Sequence, residues 1–173
     1  MRALVVYESM YGNTAAVASA IAEGLDDRHA EVTLRNVDDL VADDAAWADV
    51  LVVGGPTHAH GMSRAATRMT AAKDRSNDYE GPTVGDGLRA WLAALASGEG
   101  RAAAAFDTRI DIPAFLSGAA SKGIAGALDD HGFRSIVPRR SFLVTKDNVL
   151  LDGELGRARS WGETIATSLA VAG

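Results

Sequence analysis

Residues 8–14 read Glu8-Ser9-Met10-Tyr11-Gly12-Asn13-Thr14 and pass directly from the apolar run 3–7 into a helical pattern. That succession predicts a phosphate cradle. Backbone amides at a helix amino terminus point outward unpaired, and the helix dipole favours a negative charge there by up to ~2 kcal/mol in partly buried geometry. The hydroxyls of Ser9 and Thr14 can donate as well, Gly12 lets the backbone turn close to a ligand, and Asn13 tolerates unusual dihedrals. No lysine or arginine lies within the loop, so neutralisation would rest on dipoles, a design suited to a phosphate monoester. Either hydroxyl alone would be read as a helix cap. Two hydroxyls five residues apart around a glycine turn exceed what one cap needs.

Two further stretches carry polar side chains where a strand should end. Pro56, Thr57, His58, His60, Gly61 and Met62 follow the apolar run 50–54, and Asp107, Thr108, Arg109 and Ile110 follow 102–106. His58 and His60 flank Ala59, but two histidines without an acid or cysteine in the same loop make an incomplete metal set, so no metal is expected. His29 and His131 fall near helix ends, where capping or exposure is the default.

The elements that must position these loops alternate between strand length and helical period, the mark of parallel βαβ units. Strands are expected at 3–7, 31–36, 50–54 and 102–106, with a fifth beginning at 133–137 and continuing at 141–145 after Pro138. Val17, Ile21 and Leu25 share one face of a helix over 14–25. Leu88, Trp91, Leu92 and Leu95 form a second stripe, Ala120, Ile124 and Leu128 a third, and Ala158, Trp161, Ile165 and Leu169 a fourth, all read as core. Residues 63–73 suit a short polar helix, residues 74–87 an exposed loop, and residues 38–49 a solvated connection. In such a sheet, ligands bind beyond the carboxyl ends of the strands where the strand order reverses, so the loops 8–13, 56–62 and 107–113 should converge.

At 173 residues, 47% apolar and 23% charged, the chain is expected to be one soluble domain spanning 1–173. No apolar run is long enough to cross a bilayer and no leader precedes the first strand, so a cytoplasmic protein without membrane insertion is expected. The absence of cysteine excludes thiol redox chemistry and cysteine-held clusters, leaving redox activity to a bound organic cofactor or another metal. A net charge of −6 disfavours nucleic acid as a partner. Neither G-x-G-x-x-G after a strand nor G-x-x-x-x-G-K-[ST] occurs, and the paired acids of a response-regulator receiver are missing after the first strand.

The run from Val5 to Ile21, with Tyr7, Ser9, Gly12, Thr14, Ala18 and Ile21 at its fixed positions, resembles the signature of the flavodoxin family, and the likeness continues through Gly55-Pro56-Thr57 and Gly61. The resemblance implies an α/β flavodoxin-like, doubly wound five-stranded parallel sheet of order 2-1-3-4-5 with helices on both faces. It also implies non-covalent FMN with its phosphate held by Ser9, Met10, Tyr11, Gly12, Asn13 and Thr14. The ring would lie between Pro56, Thr57, His58, His60 and Gly61 on one side and Phe106, Asp107, Thr108 and Arg109 on the other, with the Gly61 peptide near flavin N5. Many flavodoxins stack an aromatic after the Pro-Thr pair and another from the third loop. Here His58 stands at the first position, and no aromatic follows Phe106 within the third loop.

Each missing ring contact is worth ~0.5–1.5 kcal/mol beyond its area. The electrostatics change more: His58, His60, Arg64 and Arg109 beside the ring would stabilise its reduced anion and give a less negative potential than a typical flavodoxin. No catalytic residue is assigned. The favoured function is an electron carrier, monomeric or weakly dimeric, exchanging electrons with a reductase and an acceptor protein. An FMN-dependent oxidoreductase acting on a quinone or a protoporphyrinogen-type substrate is the alternative, and a binding module that has lost its flavin is a third reading, opposed by the intact phosphate loop.

Overall fold

The computed structural model describes residues 1–58, 61–74 and 78–172. Its elements follow the expected alternation: β1 (Arg2–Tyr7), α1 (Asn13–Asp26), β2 (Glu31–Asn36), β3 (Val50–His58), β4 (Gly61–Met62), α2 (Ala65–Lys73), α3 (Gly87–Ala93), β5 (Ala102–Ile110), α4 (Ala114–Ser117), α5 (Ala120–Asp130), β6 (Arg134–Ser135), β7 (Arg140–Val144) and α6 (Glu154–Ala172). Short 3-10 turns occupy 37–39 and 42–45, inside the stretch expected to be a plain connection.

The sheet runs β2-β1-β3-β5, and the place beside β5 is shared by β6 and β7, all parallel. This is the order 2-1-3-4-5 with its fifth strand broken at Pro138, which has no amide to donate to the ladder. β4 pairs antiparallel with the end of β3, Thr57 with Met62 and His58 with Gly61.

Strand alternation divides the core into two layers. Val5, Val52, Ala104 and Phe106 meet Val17, Ile21, Trp161 and Ile165 beneath α1 and α6. Leu4, Val53, Ala103 and Ala105 meet Leu88, Trp91, Ile124 and Leu128 beneath α3 and α5. In the first layer Phe106, Phe142 and Trp161 pack edge to face with centroids 6.2–6.3 Å apart. Helices α1 and α6 approach so closely that a Cβ on Gly24 would lie 1.9 Å from the Arg159 carbonyl oxygen, and one on Gly162 lies 2.3 Å from that of Ile21.

β3 and β5 extend beyond their apolar runs, to His58 and Ile110. The polar residues at the strand ends are therefore rigid ladder positions, because Gly54, Gly55 and Pro56 pair with Phe106, Asp107 and Thr108. The stretch after Asp74 is not simply exposed either. Thr83 is fully buried, its amide donates to the Ser9 carbonyl at 2.9 Å, its hydroxyl receives the Ser9 amide at 3.3 Å, and it donates onward to Asn36. Residues 78–86 thus brace the first loop from behind.

Candidate functional site

Helix α1 begins at Gly12, which is left-handed at φ 85° and carries no side-chain cap. The Ser9 hydroxyl accepts the Gly12 amide at 3.1 Å and, weakly, the Ala15 amide at 3.4 Å. The amides of Tyr11, Asn13 and Thr14 have no acceptor among the described residues. Thr14 does not cap the helix; its hydroxyl meets that of Thr108 on β5 at 2.7 Å, with both side chains buried. A Cβ on Gly12 would stand 3.0 Å from the Tyr79 ring, so that ring closes one side of the turn and only glycine sits there without strain.

Beside this turn lies a cavity of about 360 Å³ along the carboxyl ends of β1, β3, β5 and β7, within the range of small-molecule sites. Its wall includes Met10, Tyr11, Asn13 and Thr14 from the first loop, Pro56, Thr57 and His58 from β3, and Thr108 and Arg109 from β5. Those nine were expected. Ser9 and Gly12 shape the turn from behind the wall, and Gly61 pairs with His58 across the hairpin outside it. His60 lies outside the described residues.

Two expected contacts lie elsewhere. Phe106 is fully buried against Phe142 and Trp161, because its place in β5 turns it under the sheet instead of toward the loops. Asp107, also fully buried, faces α5: its Oδ2 accepts the Thr57 hydroxyl and the Ser121 amide, each at 3.0 Å, while Thr57 Oγ1 receives the Ala120 amide at 2.9 Å. A carboxylate at a helix amino terminus complements the dipole and satisfies amides the helix cannot. Asp107 and Thr57 therefore fix the start of α5 to the sheet ends, and Asp107 does not reach the cavity.

Beyond Ile110, which lies in the expected third loop, sequence reasoning missed the far wall, made by Leu116 and Ser117, by Val144 at the end of β7 and by Thr145, Lys146 and Asn148 after it. The turn there is well held. Thr145 accepts the Asp147 and Val149 amides on its hydroxyl, and the Asn13 side chain donates to the Asn148 carbonyl at 2.7 Å, docking the turn on the start of α1. The signal was present in Lys146-Asp147-Asn148, turn residues at the carboxyl end of a fifth strand, where the same edge rule applies.

His58 is half-buried in the wall, and burial holds its imidazole below the ordinary value against the opposing pull of Glu8. Glu8 is itself buried, accepting the Leu88 amide at 2.8 Å on the α3 side. Arg64 is exposed at the start of α2 and outside the wall. Arg109 is tethered within it: its NH1 donates to the carbonyls of Ile112 at 2.6 Å and Ile110 at 3.2 Å and to the Ser117 hydroxyl at 3.4 Å. The arrangement can hold an anion at the head of α1 and a flat body between β3 and the far wall. Unpaired amides, an uncapped glycine turn and a cavity of this size fit a mononucleotide such as FMN.

Residues 4–78 match the flavodoxin domain family. Over 58 residues the chain is 41% identical to a flavodoxin of Aquifex aeolicus (strain VF5), a segment that takes in 33% of this chain and 31% of that protein. Among solved structures, a flavodoxin from the domain Archaea superposes with a TM-score of 0.68 at 24% identity, covering 98% of this chain and 99% of its own. Flavodoxin 1 from Bacillus cereus gives 0.70 at 17% identity over 96% and 98%. The Flv1 flavodiiron core from Synechocystis sp. PCC6803 gives 0.66 at 20% identity, covering all of this chain and 37% of that one.

Proposed function

From a chain that carries the flavodoxin fold throughout and matches the flavodoxin domain family over residues 4–78, we propose that it binds FMN without a covalent bond and transfers electrons through it. The observation that carries this reading is the left-handed, uncapped Gly12 turn beside wall residues Tyr11, Asn13 and Thr14, whose amides have no acceptor among the described residues. Bound FMN would supply the redox chemistry at its ring, and the protein supplies position and electrostatics. The first loop holds the phosphate, with the Thr14 hydroxyl in the wall beside it and Ser9 holding the turn from behind. His58 and Thr57 line one side of the ring site, and Arg109 and Thr108 the other.

Under this reading, residues 1–173 form one domain that works in the cytoplasm as a monomer or weak dimer, exchanging electrons with a reductase and an acceptor protein. No helix among the described residues is long and apolar enough to cross a membrane. A second reading, an FMN-dependent oxidoreductase acting on a quinone or a protoporphyrinogen-type substrate, draws support from the far wall. Leu116 is 52% exposed and its neighbour Phe115 is 83% exposed, apolar surface beside the cavity that a flat substrate could cover.

The test is reconstitution with FMN followed by gel filtration. The protein should elute with visible flavin bands, and Ser9→Ala with Thr14→Ala, which removes one hydroxyl from the wall and the side chain that holds the turn behind it, should weaken FMN by at least about tenfold, the loss of one bond to a charged acceptor, while riboflavin changes far less. Equal losses for the two ligands would show that the loop does not hold phosphate.

A further inference from the structure

Of the four basic residues expected beside the ring, the structure leaves Arg109 as the one both described and fixed in the cavity wall by hydrogen bonds. All the groups that tether it are neutral: two carbonyls and a hydroxyl. Its Nε is buried without a hydrogen-bond partner among the described residues. No aspartate or glutamate stands in the described wall, where Lys146 adds a second cation. The wall therefore has the opposite sign to the molecule, whose net charge is −6. A cation held by neutral dipoles in a partly desolvated wall keeps its field for whatever enters.

The geometry also says which part of a mononucleotide feels that field. Thr108 points toward α1, where its hydroxyl meets Thr14. Arg109, the next residue along β5, faces the opposite side, toward Ser117 on α4. Arg109 is thus placed for the ring and not for the phosphate.

We propose that Arg109 makes this cavity select the doubly reduced, anionic form of FMN over the neutral oxidised form. The inference rests on the reading that FMN occupies the cavity. The neutral oxidised ring takes up two electrons and one proton and becomes an anion, and the guanidinium attracts the added negative charge without losing any contact of its own.

The experiment is a redox titration of FMN-loaded protein with dithionite and mediator dyes, alongside binding of oxidised FMN. Arg109→Gln should weaken the reduced form at least tenfold more than the oxidised form, lowering the two-electron midpoint by about 30 mV for each tenfold of difference. Arg109→Lys should retain most of the midpoint. Leu116→Glu, which places an acid in the same wall without removing an Arg109 tether, should lower it too and serves if the first variant folds poorly. A midpoint unmoved in Arg109→Gln, or in Leu116→Glu, with FMN still bound overturns this inference alone. Failure of the unaltered protein to bind FMN overturns the functional reading with it.

Discussion

Unlike a phenyl, phenol or indole side chain, His58 can take up a proton on the acid side of neutrality. Its imidazole lies half-buried beside Pro56 and Thr57, and burial lowers its affinity for a proton relative to the unfolded chain. The sign follows from linkage: as the pH falls below ~6.5 the unfolded chain takes up a proton that the folded chain refuses. Stability contributed by neutral His58 is therefore complete above that value and declines on acidification until the lowered folded value is passed. The thermal midpoint of the unaltered protein should fall more between pH 7.5 and pH 5 than that of His58→Gln. Parallel pH profiles would show that His58 is charged as easily in the fold as out of it. At neutral pH the same burial keeps His58 from adding to the positive charge of the wall, which is why that charge falls to Arg109 and Lys146.

The start of α5 depends on a residue from a different element. Its first amides are satisfied by Thr57 on β3 and Asp107 on β5, both reaching across from the sheet ends, and its N-cap, Ala119, has no side chain able to do so. Asp107→Ala should leave the Ser121 amide and the Thr57 hydroxyl short of a buried acceptor and cost about 1–3 kcal/mol, read as a lower urea midpoint. Because Thr57 also lines the cavity, the variant should weaken FMN modestly. A variant as stable as the original would show that the helix start is held by other contacts. The turn after β7 is built by comparable logic, with Asn13 of α1 gripping the Asn148 carbonyl, so the far wall and the loop 8–14 are one connected unit.

Across the whole molecule, two apolar layers hold a sheet whose carboxyl ends alone carry the polar residues of the site. Phe106 illustrates the separation: it precedes Asp107, Thr108 and Arg109 in the chain, yet it is fully buried with Phe142 and Trp161. Phe106→Ala should cost ~3–5 kcal/mol of stability, the usual loss for an aromatic removed from a core, measured by chemical denaturation. The fraction that remains folded should bind FMN with nearly unchanged affinity. A selective loss of FMN binding in a stable Phe106→Ala protein would place the ring nearer the core than the cavity suggests.

What the amino-acid order alone determined is whatever has a local cause. The strand, glycine turn and helix of residues 3–25 follow one another without a break, and the buried stripes on α1, α3, α5 and α6 follow from spacing along single helices. The broken last strand could be read from Pro138, and the sheet order from the resemblance of residues 5–21 to a family signature. The tertiary structure decided the rest. Alternation along β5 sends Phe106 and Thr108 to one face and Asp107 and Arg109 to the other, but only the helices packed on each face say which one is core, which caps α5 and which lines the cavity. Likewise, the turn residues 146–148 mark a loop at the same sheet edge, but that it docks on Asn13 of α1, more than a hundred residues earlier, arises from chain closure around the sheet and not from any local pattern.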